Sequence, residues 1–119
     1  MKHSEVLMQV QYNDIKTAKQ CMNFKQAQRD FSDIVAKKLH KLINFIENAG
    51  SLSEVISFPS YNFHALKGKR KGQYALDISG RKSSYRLIVC FDQFDNELIF
   101  SNPESIKIIQ IEEVSNHYE

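Results

Sequence analysis

Apolar positions recur along this chain in two rhythms, and the change from one to the other divides it. Phe31, Ile34, Val35, Leu39, Leu42, Ile43 and Ile46 stand three and four residues apart, the repeat of one face of an α-helix. Lys37, Lys38, Lys41 and Glu47 fall mostly on the opposite face. The pattern predicts a helix from Ser32 to Ala49, roughly 27 Å long and stopped by Gly50. Upstream, Glu5 to Val10 is a short apolar run suited to a first strand. Asn13-Asp14 then offers an N-cap for a helix that carries Ile15, Ala18 and Met22 and ends near Gln28.

Beyond residue 72 the period shortens to two, as in half-buried strands. From Gln73 to Ile78, the residues Tyr74, Leu76 and Ile78 share a face. From Ser84 to Asp92, Tyr85, Leu87, Val89 and Phe91 face one way and Arg86, Ile88 and Cys90 the other. Ser79-Gly80-Arg81-Lys82 is a turn between the two, which predicts an antiparallel hairpin. Glu97 to Phe100 adds a short strand candidate, and Ile106 to Ile111 is the last strand. Residues 51–63, broken by Pro59, form a mixed connection. Helices come first and strands then follow one another, the α+β pattern rather than alternating βαβ units. The helical stripes need a sheet to lie on, so both helices are expected on one face of it.

A length of 119 residues fits one domain spanning 1–119, with enough chain for a single core. No run approaches the ~18 apolar residues of a membrane span. Met1 to Val10 lacks the pattern of a secretory signal, so a cytoplasmic protein with reduced thiols is expected. Cys21 and Cys90 show no metal spacing and suit small core positions. No carboxylate–histidine cluster has metal spacing, and GxSxG and GxGxxG are absent, so neither metal nor cofactor is expected.

Charge changes the picture. The net charge is +2, but residues 64–86 hold Lys67, Lys69, Arg70, Lys71, Arg81, Lys82 and Arg86 against Asp77 alone. Residues 87–119 reverse this, with Lys107 facing seven carboxylates. A local cationic block suits a phosphate-binding footprint, although a merely solvated loop has the same composition. The loop from His64 to Gln73 packs four cations and two glycines into the entry to a strand. It is not a Walker loop, because no Ser or Thr follows a Gly-Lys pair. Arg86 sits in mid-strand opposite Leu87, Val89 and Phe91, which puts it on the face away from the helices. There it serves either as a phosphate clamp or as a salt-bridge partner of Asp77 or Glu112. After the last strand, His117 and Tyr118 pair a titratable ring with a hydroxyl, either a proton-transfer pair or an incidental tail. His64 stays open between a structural and an RNA-facing role, and His3 and His40 suit the surface.

The segment from Phe63 to Tyr74 (FHALKGKRKGQY) resembles the LKGxRKG segment of HigB-like killer toxins of the RelE/ParE superfamily. Tyr85-Arg86-Leu87-Ile88, the helical Ala36-Lys37-Lys38-Leu39 and the IIQIE strand with its following His/Tyr pair extend the resemblance over nearly the whole chain. The resemblance implies a small twisted, mainly antiparallel sheet with two helices on one face and RNA on the other. It also implies the toxin of a type II toxin–antitoxin pair, a ribosome-dependent mRNA endonuclease neutralised by a helix-turn-helix, HigA-like antitoxin. On that basis Arg86 contacts the scissile phosphate. Lys67, Lys69, Arg70 and Lys71 hold the RNA backbone, joined by His64, Arg81 and Lys82. His117 and Tyr118 belong to the active site. The terminal order, VSNHYE, departs from the Tyr-His order common in related chains.

The implied chemistry is attack of a ribose 2′-OH on the adjacent phosphate. His117 or a loop lysine acts as base, Arg86 and Lys71 stabilise the phosphorane, and Tyr118 or His117 protonates the leaving oxygen. No metal is required, because the nucleophile is already in the substrate. Two other classes fit the same residues: a ParE-like gyrase poison that cuts no RNA, and an RNA-binding module without catalysis.

Overall fold

A computed structural model of the protein describes residues 6–91 and 96–116. The first strand, β1, runs Gln9–Tyr12. It leads to α1, Ile15–Met22, whose N-cap Asp14 accepts a hydrogen bond from the Thr17 backbone N–H at 2.8 Å. The helix expected to continue to Gln28 breaks at Asn23, which takes an extended backbone (φ −118°, ψ 111°). The Asn23 side chain then caps α2, Phe24–Asp30, by accepting from the Gln26 N–H. Ser32 caps α3, Asp33–Glu47, in the same way through the Val35 N–H. Asn48 ends α3 two residues before the glycine expected to stop it.

The connection after α3 holds a short helix, α4 (Leu52–Ile56), and a 3-10 turn over Pro59–Tyr61. The strand β2 (His64–Ala65) follows, then β3 (Gln73–Asp77) and β4 (Arg86–Cys90). Where Glu97 to Phe100 was expected to be extended, the chain forms α5, Asn96–Ser101. The last strand, β5, runs Ile108–Ser115, four residues further than Ile111.

The five strands form one sheet in the order β1-β5-β4-β3-β2. Only β1 and β5 are parallel, so the sheet is mainly antiparallel, as expected for this α+β chain. Leu39, Leu42 and Ile46 of α3 are fully buried, as are Leu76, Leu87, Val89, Ile109 and Ile111 of the sheet. These side chains join one cluster between the helices and the sheet's inner face. Leu52, Val55, Ile99 and Ile106 extend it from α4, α5 and the segment before β5. His40 is not a free surface residue. It donates through Nε2 to the Gln20 carbonyl at 3.0 Å, and its ring meets Phe24 edge-on, which pins the α1–α2 junction onto α3.

Cys21 is buried as expected. Burial, and then the Glu47 carboxylate, pushes its thiol up to about 12. Tyr12 is shifted upward too, first by burial and then by Cys21 and Glu47. Among the described residues no helix is long and apolar enough to cross a membrane.

Candidate nucleic-acid interface

The outer face of the sheet is organised in rows set by the strand register. His64 of β2 pairs with Ala75 of β3, Ala75 with Ile88 of β4, and Ile88 with Glu113 of β5. One row over lie Gln73, Cys90 and Gln110. On the other side lie Asp77, Arg86 and Ser115. The register slips once, because Ile111 pairs with Val89 and Glu113 with Ile88, leaving Glu112 as the extra residue of a bulge. Both glutamates thereby stay off the inner face. Glu112 accepts from Cys90 Sγ at 2.9 Å and from Gln110 Nε2 at 2.6 Å.

The basic loop enters this face from the Gln73 end. Leu66 N–H donates to the Gln73 carbonyl, and residues 68–70 make a 3-10 turn. Gly68 (φ +64°) and Gly72 (φ +95°) occupy left-handed backbone regions on either side of it. A Cβ at either position would meet nothing within 4 Å, so conformation and not crowding calls for glycine there. The turn leaves Lys67, Lys69 and Lys71 exposed, and none has an ion-pair partner among the described residues.

Arg70 does the opposite. Its guanidinium folds back over the sheet, donating to Gln73 Oε1 at 2.9 Å on β3 and to Glu113 Oε2 at 2.7 Å on β5. Because β4 lies between those strands, Arg70 spans it on the outer face.

His64 is half-buried beside Ala75. Its Nδ1 lies 2.7 Å from the Asn62 carbonyl oxygen. A carbonyl only accepts, so Nδ1 carries the proton, and in the neutral ring Nε2 holds the lone pair. Asn62 presents that carbonyl from a left-handed conformation (φ 50°) at the end of the 3-10 turn. The arrangement fixes one tautomer of the neutral ring.

Arg86 does not stand open on the outer face. It is 9% exposed, and its Nε lies 3.0 Å from Oδ1 of Asp77, whose side chain is fully buried. Neither oxygen of that carboxylate has a well-directed hydrogen bond, so charge is what joins the pair. The remaining guanidinium nitrogens donate to the carbonyls of Ser83 (2.5 Å), Tyr85 (2.9 Å) and Arg81 (3.2 Å). The β3–β4 loop thus wraps around the arginine. This corrects the expectation of an uncovered clamp: the alternation put Arg86 on the right face, but its own loop covers it.

A second correction concerns convergence. Lys71 precedes the start of β3, whereas Arg86 pairs with Asp77 at its end. Six residues of extended chain, up to about 20 Å, separate those ends. Arg86 also points into its own loop, so it does not meet Lys71 over one phosphate. Arg81 and Lys82 are exposed on the same loop, again at the far end from Lys67, Lys69 and Lys71. Ser84 Oγ meets Asn116 Oδ1, so β5 finishes at the Arg86 end. His117 and Tyr118 lie outside the described residues.

Glu113, Gln73 and Asn62 were not foreseen as parts of this face. One signal was present in the sequence. The inward residues Ile109, Ile111 and Val114 step by two and then by three, which is the mark of a bulge inside β5.

Three solved structures share the architecture. A YafQ mutant from E. coli superposes with a TM-score of 0.53 at 18% identity, over 92% of this chain and 92% of that one. A YoeB/ParE toxin from Agrobacterium tumefaciens gives a TM-score of 0.54 at 12% identity, over 93% of this chain and 100% of that one. YafQ from E. coli strain BL21(DE3) gives 0.50 at 18% identity, over 92% of each chain. No family model matches the chain, and no curated protein matches it by sequence. The likeness is therefore one of fold, and that fold is the RelE/ParE-like toxin fold.

Proposed function

We propose that this chain is the toxin of a toxin–antitoxin pair and that it cleaves mRNA on the ribosome. The observation that carries the reading is the basic loop set beside a histidine of fixed tautomer. Lys67, Lys69 and Lys71 stand exposed at one end of the outer face, and His64 keeps Nε2 for proton transfer in the adjoining row. The toxin fold of the structural neighbours and the HigB-like LKGKRKG segment support the same reading.

In this mechanism the three lysines hold the RNA backbone through its phosphates. His64 Nε2 takes the proton from the ribose 2′-OH as that oxygen attacks the neighbouring phosphorus. Arg70, preoriented by Gln73 and Glu113, faces the charge that gathers on the phosphorane. His117, or Tyr118, returns a proton to the departing 5′-oxygen. The products are a 2′,3′-cyclic phosphate and a 5′-hydroxyl. Arg86 acts as a positioning residue that shapes the loop carrying Arg81 and Lys82. A small helix-turn-helix antitoxin of the HigA kind is the proposed partner.

The test is induction of the chain with and without its genomic neighbour, followed by mapping of 5′ ends in cellular mRNA. The reading expects new 5′-hydroxyl ends inside translated codons, suppressed by the neighbour and lost in His64→Ala. Intact transcripts with an SOS response would replace it by gyrase poisoning. Intact transcripts without one would leave RNA binding alone.

A further inference from the structure

A cleft at the opposite end of β3 is not used by that mechanism. It encloses about 300 Å³ between α3, the 3-10 turn and the β3–β4 loop, and is lined by Lys38, Lys41, Phe58, Ser60, Tyr61 and Gly80. That volume lies at the lower end of the ~300–1,000 Å³ of small-molecule sites.

Its walls divide by chemistry. Phe58 and Tyr61 belong to a cluster with Phe45 whose ring centroids are 5.1–5.3 Å apart. Although packed there, Phe58 remains 43% exposed. Lys38 and Lys41 are three residues apart on α3, so they share a face. Both are exposed, and neither has an ion-pair partner among the described residues. Asp77 also lines the cleft, but its side chain belongs to the outer face and is paired with Arg86. Gly80 leaves the mouth unobstructed, since a Cβ there would meet nothing within 4 Å. The exposed Arg81 and Lys82 continue the positive charge along its lip.

A part-exposed aromatic ring beside two neighbouring cations matches a base attached to a phosphate. The geometry points to this cleft as a second RNA contact, which takes one nucleotide of a single strand. The base stacks on Phe58 and Tyr61, and the phosphate meets Lys38 and Lys41. An acidic peptide satisfies the lysines but leaves the exposed ring without a partner, so RNA is the better fit. The inference rests on the RNA-acting reading and extends it: the lysine loop precedes the start of β3, and this cleft lies at its far end on the α3 side of the sheet.

The experiment is fluorescence anisotropy with a labelled single-stranded RNA 12-mer of mixed sequence, and with the same oligomer made abasic. Phe58→Ala is expected to weaken the 12-mer about tenfold and the abasic strand hardly at all, since stacking needs a base. Phe58→Tyr restores binding, which separates loss of the ring from a loosened cluster. Lys38→Glu with Lys41→Glu, on an exposed helix face, is expected to weaken both strands and lower the salt slope by about 1–2. If these variants all bind like the parent while Lys67→Ala/Lys69→Ala/Lys71→Ala weakens, the cleft inference is overturned and the mechanism above survives. If the lysine-loop variant also binds unchanged, the RNA-acting reading falls as well. Displacement of the 12-mer by poly-glutamate with no effect of Phe58→Ala would identify a peptide site and overturn the inference.

Discussion

Arg70 reaches across the full width of β4 to Glu113, its guanidinium nitrogen 2.7 Å from Oε2. The contact ties the loop between β2 and β3 to the far strand β5, so one of the four loop cations serves as a strut and the other three face solvent. Both side chains keep partial exposure, 26% and 44%, which limits what the ion pair adds to stability. Glu113→Ala is therefore expected to cost only about 0.5 kcal/mol in denaturant unfolding. Its larger effect falls on loop order. Amide exchange over residues 67–72 should quicken severalfold, while the α3 amides stay as protected as in the parent. Unchanged loop exchange would show that the turn holds itself.

The ion pair of Arg86 and Asp77 belongs to a different regime, because Asp77 is wholly inside. Removing the arginine strands a buried carboxylate and frees three loop carbonyls at once. Arg86→Ala is expected to lose about 3 kcal/mol of stability or more. Asp77→Ala/Arg86→Ala should lose less than the two single changes added together, since it leaves neither charge alone. Urea unfolding of the four proteins closes the cycle. Full stability in Arg86→Ala, together with lost toxicity, would return the residue to the catalytic set.

Lys67, Lys69 and Lys71 are exposed and have no ion-pair partner among the described residues. Replacing all three with alanine should leave the melting temperature within a few degrees of the parent. The same change should flatten the dependence of log K on log salt for single-stranded RNA by about 2, the share expected of three lost phosphate contacts. Anisotropy titrations at four salt concentrations measure it. A parallel shift at constant slope would mean that these lysines do not touch phosphate.

How much of this was legible depended on whether a burial pattern is local. The stripe on α3 and the alternation in β3 and β4 were readable because each repeats several times within one element. Capping by Asp14 was readable for the same reason, since the side chain acts three residues away. The helix α4 escaped because five residues hold only Leu52 and Val55, too few to define a period. In α5 the apolar Leu98-Ile99-Phe100 triplet looks extended, yet Ile99 is the one of the three that is fully buried. At the site, alternation gave the face of Arg86 correctly. It carried no information about a loop folding back to cover that face. Nor does a run of four cations say which one turns inward. The partners of Arg70 lie three and 43 residues away, and the distant one is aligned only by the bulge at Glu112.

Alkaline pH offers a test of the packing under α1. The Cys21 thiol is pushed from its ordinary 9.0 up to about 12, first by burial and then by the Glu47 carboxylate. Above pH 9 the unfolded chain releases this proton while the folded chain keeps it. Stability from the neutral thiol is thus complete below about pH 9 and is lost as pH rises toward 12. Tyr12 and Tyr61, both shifted upward by burial, add to the decline above pH 10. Cys21→Ala should be less stable at pH 7, having lost packing, but its stability should fall less steeply between pH 9 and 11. Equal slopes would mean that the thiol is solvated in the folded protein.

The bulge in β5 makes the most demanding prediction, because it sets sequence arithmetic against structure. Glu112 and Glu113 both lie off the core, and one of them is surplus to the pleat. Deleting Glu112 leaves Ile109, Ile111 and Val114 in strict alternation, with every inward residue still inward. The remaining glutamate then pairs with Ile88, the position from which Glu113 meets Arg70. The bonds from Cys90 and Gln110 to Glu112 are lost, at about 1 kcal/mol each. The shortened chain is therefore expected to fold cooperatively with a lower melting temperature. An alanine inserted between Leu87 and Ile88 is the contrasting change. It turns one half of β4 over, sending either Leu87 or Val89 to the outer face, and should abolish folding. Circular dichroism melts of the two proteins distinguish them. A deletion that unfolds the chain would show that β5 depends on the bulge for its twist, and not only for placing two carboxylates on one side.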